Sequence, residues 1–347
     1  FVDQKRKVGV MRGSEAEAAL QVDLARGGNE QVLPAYDVCD ALVGIVGNDG
    51  TIIARSIIAS NDTDDYLVFI ENAATAIDRL LADNNIDRKQ IEGIGEGAPN
   101  SNFFEGTIEY AHNIRWGHDK IIPFTDIFSK KMNIPCLITN DANAAAMGEA
   151  KFGIAKGMKN FVEVTLGTGV GTGIMTDGKI MYGSNGMAGE FGHCKIITSR
   201  TPRRCSCGSI GCLEAYCSAT GVADSGRETL ALYPDRPTSL RRYNPEDITA
   251  KIIHEQALCG DRVSIEILEE TGKLLGKAFA DFTRFFAPEA IILFGGLTKA
   301  KDILMPAITE SYDEHLIPIY RDKQKILLSS LPEYDAAILG ASTLITG

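Results

Sequence analysis

His193–Glu214 reads HCKIITSRTPRRCSCGSIGCLE and sets one histidine and three cysteines in the order H-x11-C-x-C-x4-C. Three thiolates and an imidazole are the ligand set of a closed tetrahedral Zn²⁺ site. His193, Cys205, Cys207 and Cys212 are therefore expected to hold a structural zinc, with Gly208 and Gly211 letting a short loop fold back on the ion. The competing reading is a pair of disulfides or ordinary buried thiols. Four of the eight cysteines fall in this stretch, two of them one residue apart, and FVDQKRKVGV is followed by no apolar signal-peptide core, which favours metal.

The flanks carry acids. GMAGEFGH (186–193) places Glu190 three residues before His193, and Glu214 follows Cys212 by two. Ionised carboxylates fixed at the edge of a metal loop accept hydrogen bonds from a polyhydroxylated ligand. Alone, each glutamate would read as a solvated surface residue.

Upstream, NFVEVTLGTGVGTG pairs a strand over 162–166 with a run from Gly167 to Gly173 in which glycines alternate with Thr168, Val170 and Thr172. Such a turn lets backbone N–H groups approach an anion; a tight hairpin is the alternative. Further upstream, CLITNDANAAAMGE gives a strand over 136–139 that ends on Asn140-Asp141 and feeds a helix. Ligands gather at the carboxyl ends of strands in open α/β sheets, although Asn and Asp there also serve as helix caps. AIILFGG repeats the pattern, a buried strand opening onto Gly295-Gly296.

Around these motifs the chain alternates strands and helices. ALVGIVGNDGTIIARSIIAS reads as a hairpin turning at Asn48-Asp49-Gly50, and Ile70, Ala74, Ile77, Leu80 and Leu81 keep helical spacing. Residues 14–28 carry a capping box and a Gly-Gly stop, and 263–282 form a long helix ended before Pro288. DAAILGASTLI closes the chain as an expected amphipathic helix. At 347 residues two domains are expected. A net charge of -11 argues against a nucleic-acid surface, and no apolar run approaches a membrane span; a reduced cytoplasmic enzyme fits both.

Taken together, GEGAPN, LITNDANAAAMGE, TLGTGVGTG, GEFGHCK leading into CSCGSIGCLEAYCS, and AIILFGG resemble the ROK family of bacterial sugar kinases and sugar-responsive repressors, over roughly residues 42–347. The resemblance implies an α/β, actin-like ATPase (ribonuclease H-like) fold, with two α/β domains around a cleft. It implies a small N-terminal domain over 1–139, a large C-terminal domain with the zinc knuckle over 140–330, and a helix over 331–347 returning to the small domain. Asp141 would be the general base, and Asn140, Glu190, His193 and Glu214 would bind sugar hydroxyls. Thr168, Gly169 and Gly171 would cradle phosphate, while Gly295 and Gly296 would face the adenosine. The implied activity is ATP-dependent phosphorylation of a hexose, glucose at its 6-hydroxyl being the expected acceptor, with Mg²⁺ riding on ATP and Zn²⁺ structural. A homodimer or homotetramer is implied by the same analogy.

One departure stands out. The family opens with a strand and an Asp-x-Gly-Gly-Thr phosphate turn, whereas QVLPAYDVCDA (31–41) has Asp37 and Asp40 but no glycine. VGVMRGSE, further upstream, recovers the strand but carries Met11 at the Asp position. Three readings stay open: an inactive relative that binds or senses sugar, a loop in which Asp37 or Asp40 substitutes, or an inaccurate sequence before Ala41. The last is preferred, because the other motifs are intact.

Overall fold

The computed structural model describes residues 6–12, 40–60, 62–111, 114–197 and 202–345, with the backbone alone at 11, 12, 40, 333 and 334. The helix expected over 14–28, and Asp37, lie outside them. The first elements are β1 (Arg6–Arg12), β2 (Asp40–Gly47), β3 (Ile52–Ala59), α1 (Tyr66–Asp83), β4 (Ile91–Gly97), β5 (Ser101–Asn102), β6 (Thr107–Glu109), β7 (Ile121–Ile122), α2 (Phe124–Met132), β8 (Cys136–Thr139) and α3 (Asp141–Phe152). There follow β9 (Phe161–Leu166), β10 (Val170–Thr176), β11 (Lys179–Ile180), α4 (Glu214–Cys217), α5 (Ala219–Leu232), α6 (Ala250–Leu258), α7 (Arg262–Phe286), β12 (Ala290–Phe294), α8 (Lys301–His315), β13 (Lys325–Leu328) and α9 (Glu333–Thr343).

The chain divides into two units, one of Phe1–Lys159, Gly173–Gly189 and Ser329–Gly347, the other of Asn160–Thr172 and Glu190–Leu328. The division falls after α3 rather than at Thr139. The cause is packing: α3 lies against α9 where Gly148 faces Gly340, with the two backbones close enough that a methyl at Gly340 would sit 2.6 Å from the Ala144 carbonyl carbon.

In the first unit the main sheet runs β3-β2-β1-β4-β8. The upstream strand holds its centre: β1 pairs antiparallel with β2 and parallel with β4. Asp40 opens β2, opposite Ala59 of β3, and Met11 occupies the last turnward position but one of β1. The Asn48-Asp49-Gly50 hairpin forms as expected, with Gly50 at φ 87° and Asp49 Oδ1 accepting from Thr51 N–H at 2.9 Å. Alternation then sorts β1 by face. Val8 and Val10 join Val43, Ile45 and Ile94 in a core completed by Phe69 and Ile77 of α1. On the other face Gly44, Gly9 and Gly95 stand in one row across β2, β1 and β4. α9 lies on that row: a methyl at Gly9 would be 3.1 Å from the Ile338 carbonyl carbon, and one at Gly95 would be 2.7 Å from that of Ala341. With α3 on its other side, α9 is buried all round from Ala336 to Thr343. It is not the amphipathic helix the sequence suggested.

In the second unit β12 is flanked by β9 and β13, both parallel to it, and every residue of β9 and β12 is buried. This is the pattern of a sheet covered on both faces. α7 and α8 pack closely where Gly272 faces Ala307, a methyl there meeting Ala307 Cβ at 2.7 Å. Asp261 caps α7 by accepting from Ser264 N–H at 3.0 Å. No helix among the described residues is long and apolar enough to cross a membrane.

Candidate functional site

β9 ends at Leu166, and the chain turns through Gly167–Gly169, closed by Gly167 N–H to Gly169 O at 3.1 Å. Only Thr168 and Gly169 of the proposed phosphate cradle lie in this turn. Gly171 is already in β10, and its N–H donates to Thr165 Oγ1 at 3.2 Å. Gly173 is explained by packing: a methyl there would meet Ala146 Cβ of α3 at 2.6 Å. Gly295 follows the parallel neighbour β12, at φ 101°, and a methyl on it would lie 2.8 Å from Leu166 O. The ends of β9 and β12 are thus side by side. Gly296 opens a short helical turn, Gly296–Ala300, whose Thr298 N–H and hydroxyl both donate to Gly295 O. Close backbone approach at adjoining strand ends suits an anionic, nucleotide-like ligand.

The cysteine stretch folds on itself through two isolated bridges, Lys195 with Cys212 and Arg204 with Ile210. Gly211 donates to Arg203 O at 2.9 Å and takes φ 76°, against Ile197. The four expected ligand atoms lie within 4.8 Å of one another. Cys205 Sγ is 3.6 Å from His193 Nδ1, and Cys207 and Cys212 Sγ are 3.9 Å apart. These separations are close to the edge lengths of a tetrahedron with metal–ligand bonds of about 2.0–2.3 Å, so the donor set fits zinc. Burial pushes the Cys205 thiol up to about 12, and burial also raises Cys212. A cation bound there would reverse that preference and favour both as thiolates.

His193 presents its other nitrogen to Glu190, with Nε2 3.6 Å from Oε2. Partial burial raises the Glu190 carboxyl above its ordinary value, while His193 opposes this and Glu214 adds to it. With 56% of the side chain open to solvent, those influences are screened.

Glu214, the first residue of α4, joins the knuckle to the glycine turn. Its Oε1 accepts from Ser206 Oγ at 2.9 Å, and its Oε2 accepts from Val170 N–H at 3.0 Å. Gly169 must lack a side chain here, since a Cβ would stand 2.6 Å from Oε2. Glu190, His193 and Glu214 therefore cluster, with Thr168 and Gly169 adjoining, all within the second unit. Asn140 and Asp141 belong to the first unit. Asn140 is the cap of α3, its Oδ1 accepting from Ala142 N–H at 2.9 Å, and Asp141 Oδ1 accepts from the same N–H.

Two participants were missed in the sequence. Ser206, the residue between Cys205 and Cys207, fixes Glu214, and Arg203 ties the loop to α4 and α5. Neither has a spacing signal of its own, although a hydroxyl held between two metal ligands has few directions in which to point.

Residues 40–347 match the ROK family. Glucokinase of Halalkalibacterium halodurans is 33% identical over 299 residues, covering 85% of this chain and 88% of that protein. The N-acetylglucosamine repressor of Escherichia coli is 29% identical over 243 residues, 69% of this chain and 56% of the repressor. Among solved structures, a ROK family glucokinase from Streptomyces griseus in complex with glucose and AMPPNP superposes with a TM-score of 0.74 at 27% identity, covering 98% of both chains.

Proposed function

Because the chain belongs to the ROK family and has its actin-like, sugar-kinase fold, we propose that it is an ATP-dependent hexose kinase whose acceptor is glucose at the 6-hydroxyl. The observation that carries this reading is the cluster of Glu190, His193 and Glu214 around the metal knuckle, a set of acceptors and one imidazole suited to sugar hydroxyls. The glucokinase relatives and the glucose complex of the Streptomyces griseus enzyme support the choice of glucose.

In this reading Asp141 accepts the proton of the attacking hydroxyl as it displaces ADP from the γ-phosphorus of ATP, and Asn140 helps hold the sugar. Glu190, His193 through Nε2, and Glu214 fix the remaining hydroxyls. Thr168, Gly169 and Gly171 lie along the phosphates, with Gly171 contributing its backbone shape since its N–H is held by Thr165. Gly295 and Gly296 back the nucleoside. His193, Cys205, Cys207 and Cys212 would hold Zn²⁺, whose role would be to fix the imidazole and the loop, and the Mg²⁺ that accompanies ATP would supply charge neutralisation at the phosphates. We place the protein in the cytoplasm as a homo-oligomer of two or four chains.

A second reading, a sugar binder without transfer, rests on Met11 at the end of the central strand and on the repressor relative. A coupled ADP-release assay with Mg-ATP and a panel of hexoses decides between them. Glucose-dependent turnover is expected; glucose binding without turnover establishes the second reading.

A further inference from the structure

We propose that Arg203 is a positioning residue for sugar binding, locking the metal loop to the helix that carries Glu214. All five guanidinium N–H groups are used. Nε donates to Glu228 Oε1 at 2.8 Å, and Nη1 donates to Ala215 O at 3.0 Å and Gly221 O at 2.9 Å. Nη2 donates to Ser225 Oγ at 2.9 Å and Glu228 Oε2 at 2.8 Å. The group also lies over the Tyr216 ring, 4.6 Å from its centroid, while the Arg203 backbone N–H donates to Tyr216 Oη at 2.7 Å. Its backbone carbonyl accepts from Gly211 N–H.

The Arg203 side chain is 15% exposed, so its bonds to the Ala215 and Gly221 carbonyls and to Ser225 are sheltered, while the bidentate geometry orders the pair with the half-exposed Glu228. Every acceptor lies on α4 or α5, within fourteen residues of Glu214, while the backbone of Arg203 belongs to the loop that carries Cys205. Glu214 is itself held between Ser206 of that loop and Val170 of the glycine turn. Two anchorages thus connect the same pair of segments, and the one through Arg203 is rigid. Loosening it frees α4 to shift against the knuckle, and a carboxylate displaced by an ångström no longer meets a sugar hydroxyl squarely. Lysine cannot substitute, because one ammonium cannot reach five acceptors arranged for a planar fork. A cavity of about 280 Å³ beside Arg203 and Tyr216, walled by Leu232, Val263 and Ile267, leaves room for an altered side chain without overpacking.

The inference rests on Glu214 being a sugar ligand, and the test separates the two claims. Glucose affinity is measured by calorimetry, and KM for glucose and for ATP by ADP release, for the wild type, Arg203→Lys, Arg203→Met and Tyr216→Phe. Both Arg203 variants are expected to weaken glucose binding by tenfold or more, with KM for ATP within threefold of wild type. Tyr216→Phe, which removes one of the anchors, should weaken glucose about threefold. Mere loss of folded protein lowers the active fraction and leaves every KM in place, so unchanged glucose affinity in the Arg203 variants overturns the proposal. Equal rises in both KM values also overturn it. A wild-type chain that binds no glucose removes the sugar reading itself, and the positioning role with it.

Discussion

Replacing Gly95 by alanine should destabilise the first unit far more than its size suggests. The added methyl would stand 2.7 Å from the Ala341 carbonyl carbon and 3.4 Å from Leu344 Cβ. Carbon atoms rest at about 3.5–4.0 Å, so α9 would have to withdraw by roughly an ångström. It has nowhere to go: on its far side Gly340 already meets the backbone of α3 near Ala144. Overpacking of this kind costs about 1–3 kcal/mol, and a clash with backbone on one side and backbone behind belongs at the upper end. Alanine recovers about 0.5–1 kcal/mol of the entropy that glycine loses in a strand, which leaves a net cost of about 2 kcal/mol. For a unit of this size that lowers Tm by roughly 4–8 °C. Thermal unfolding followed by circular dichroism, with urea titration as a check, measures it. A Gly95→Ala chain melting within a degree of wild type would show that α9 does not rest on the glycine row.

Asp141→Ala should keep glucose affinity within a few-fold while kcat falls by about 10²–10⁴, the range of a lost general base; retained turnover removes the assignment. Cys207→Ser should lower zinc content and weaken glucose binding together, and metal loss with unaltered glucose affinity would separate the knuckle from the sugar site. Asp261 supplies a pH test. Its burial opposes the charge, but hydrogen bonds from Ser239 N–H, Ser264 N–H and hydroxyl, and Thr238 hydroxyl prevail and hold its carboxyl below the ordinary value. A depressed folded-state value contributes stability above the unfolded value of about 3.9, and loses it as pH falls through the folded value. Asp261→Asn keeps a capping oxygen but puts an NH₂ where a carboxylate oxygen accepts hydrogen bonds, so it should cost about 1 kcal/mol at pH 7, with the gap closing below about pH 4; a gap of constant size across that window would refute the charge argument.

Local signals in the sequence were read well where the physics is local. The Asn48-Asp49-Gly50 turn, the 136–139 strand and the buried 290–294 strand depend on neighbours a few residues away, and they form as expected. The convergence of His193, Cys205, Cys207 and Cys212 was legible for the same reason, since a short loop with three thiols has few ways to fold. What escaped depends on register between distant strands. Gly9, Gly44 and Gly95 look unrelated along the chain and become a row only when β1 pairs with both neighbours. Burial of α9 on every side follows from that row and from α3. Gly171 and Gly173 read as turn residues because glycine spacing does not say where a strand resumes. The contacts of Arg203 were hidden because its acceptors are carbonyls, a serine hydroxyl and a glutamate up to twenty-five residues away.

The glycine row also sets a timetable for the protein's birth. Gly9 is translated about 330 residues ahead of the helix that covers it and Gly95. At about 5–20 residues per second, some 330 intervening residues take on the order of 15–65 s to translate. Through that interval the bare face of the sheet, with Leu42 and Val46 awaiting Ile338, stays open to chaperones and to other nascent chains. A message cut short before Glu333 would yield a chain that never closes this face, so premature termination should mark the product for proteolysis even though every proposed site residue has been made.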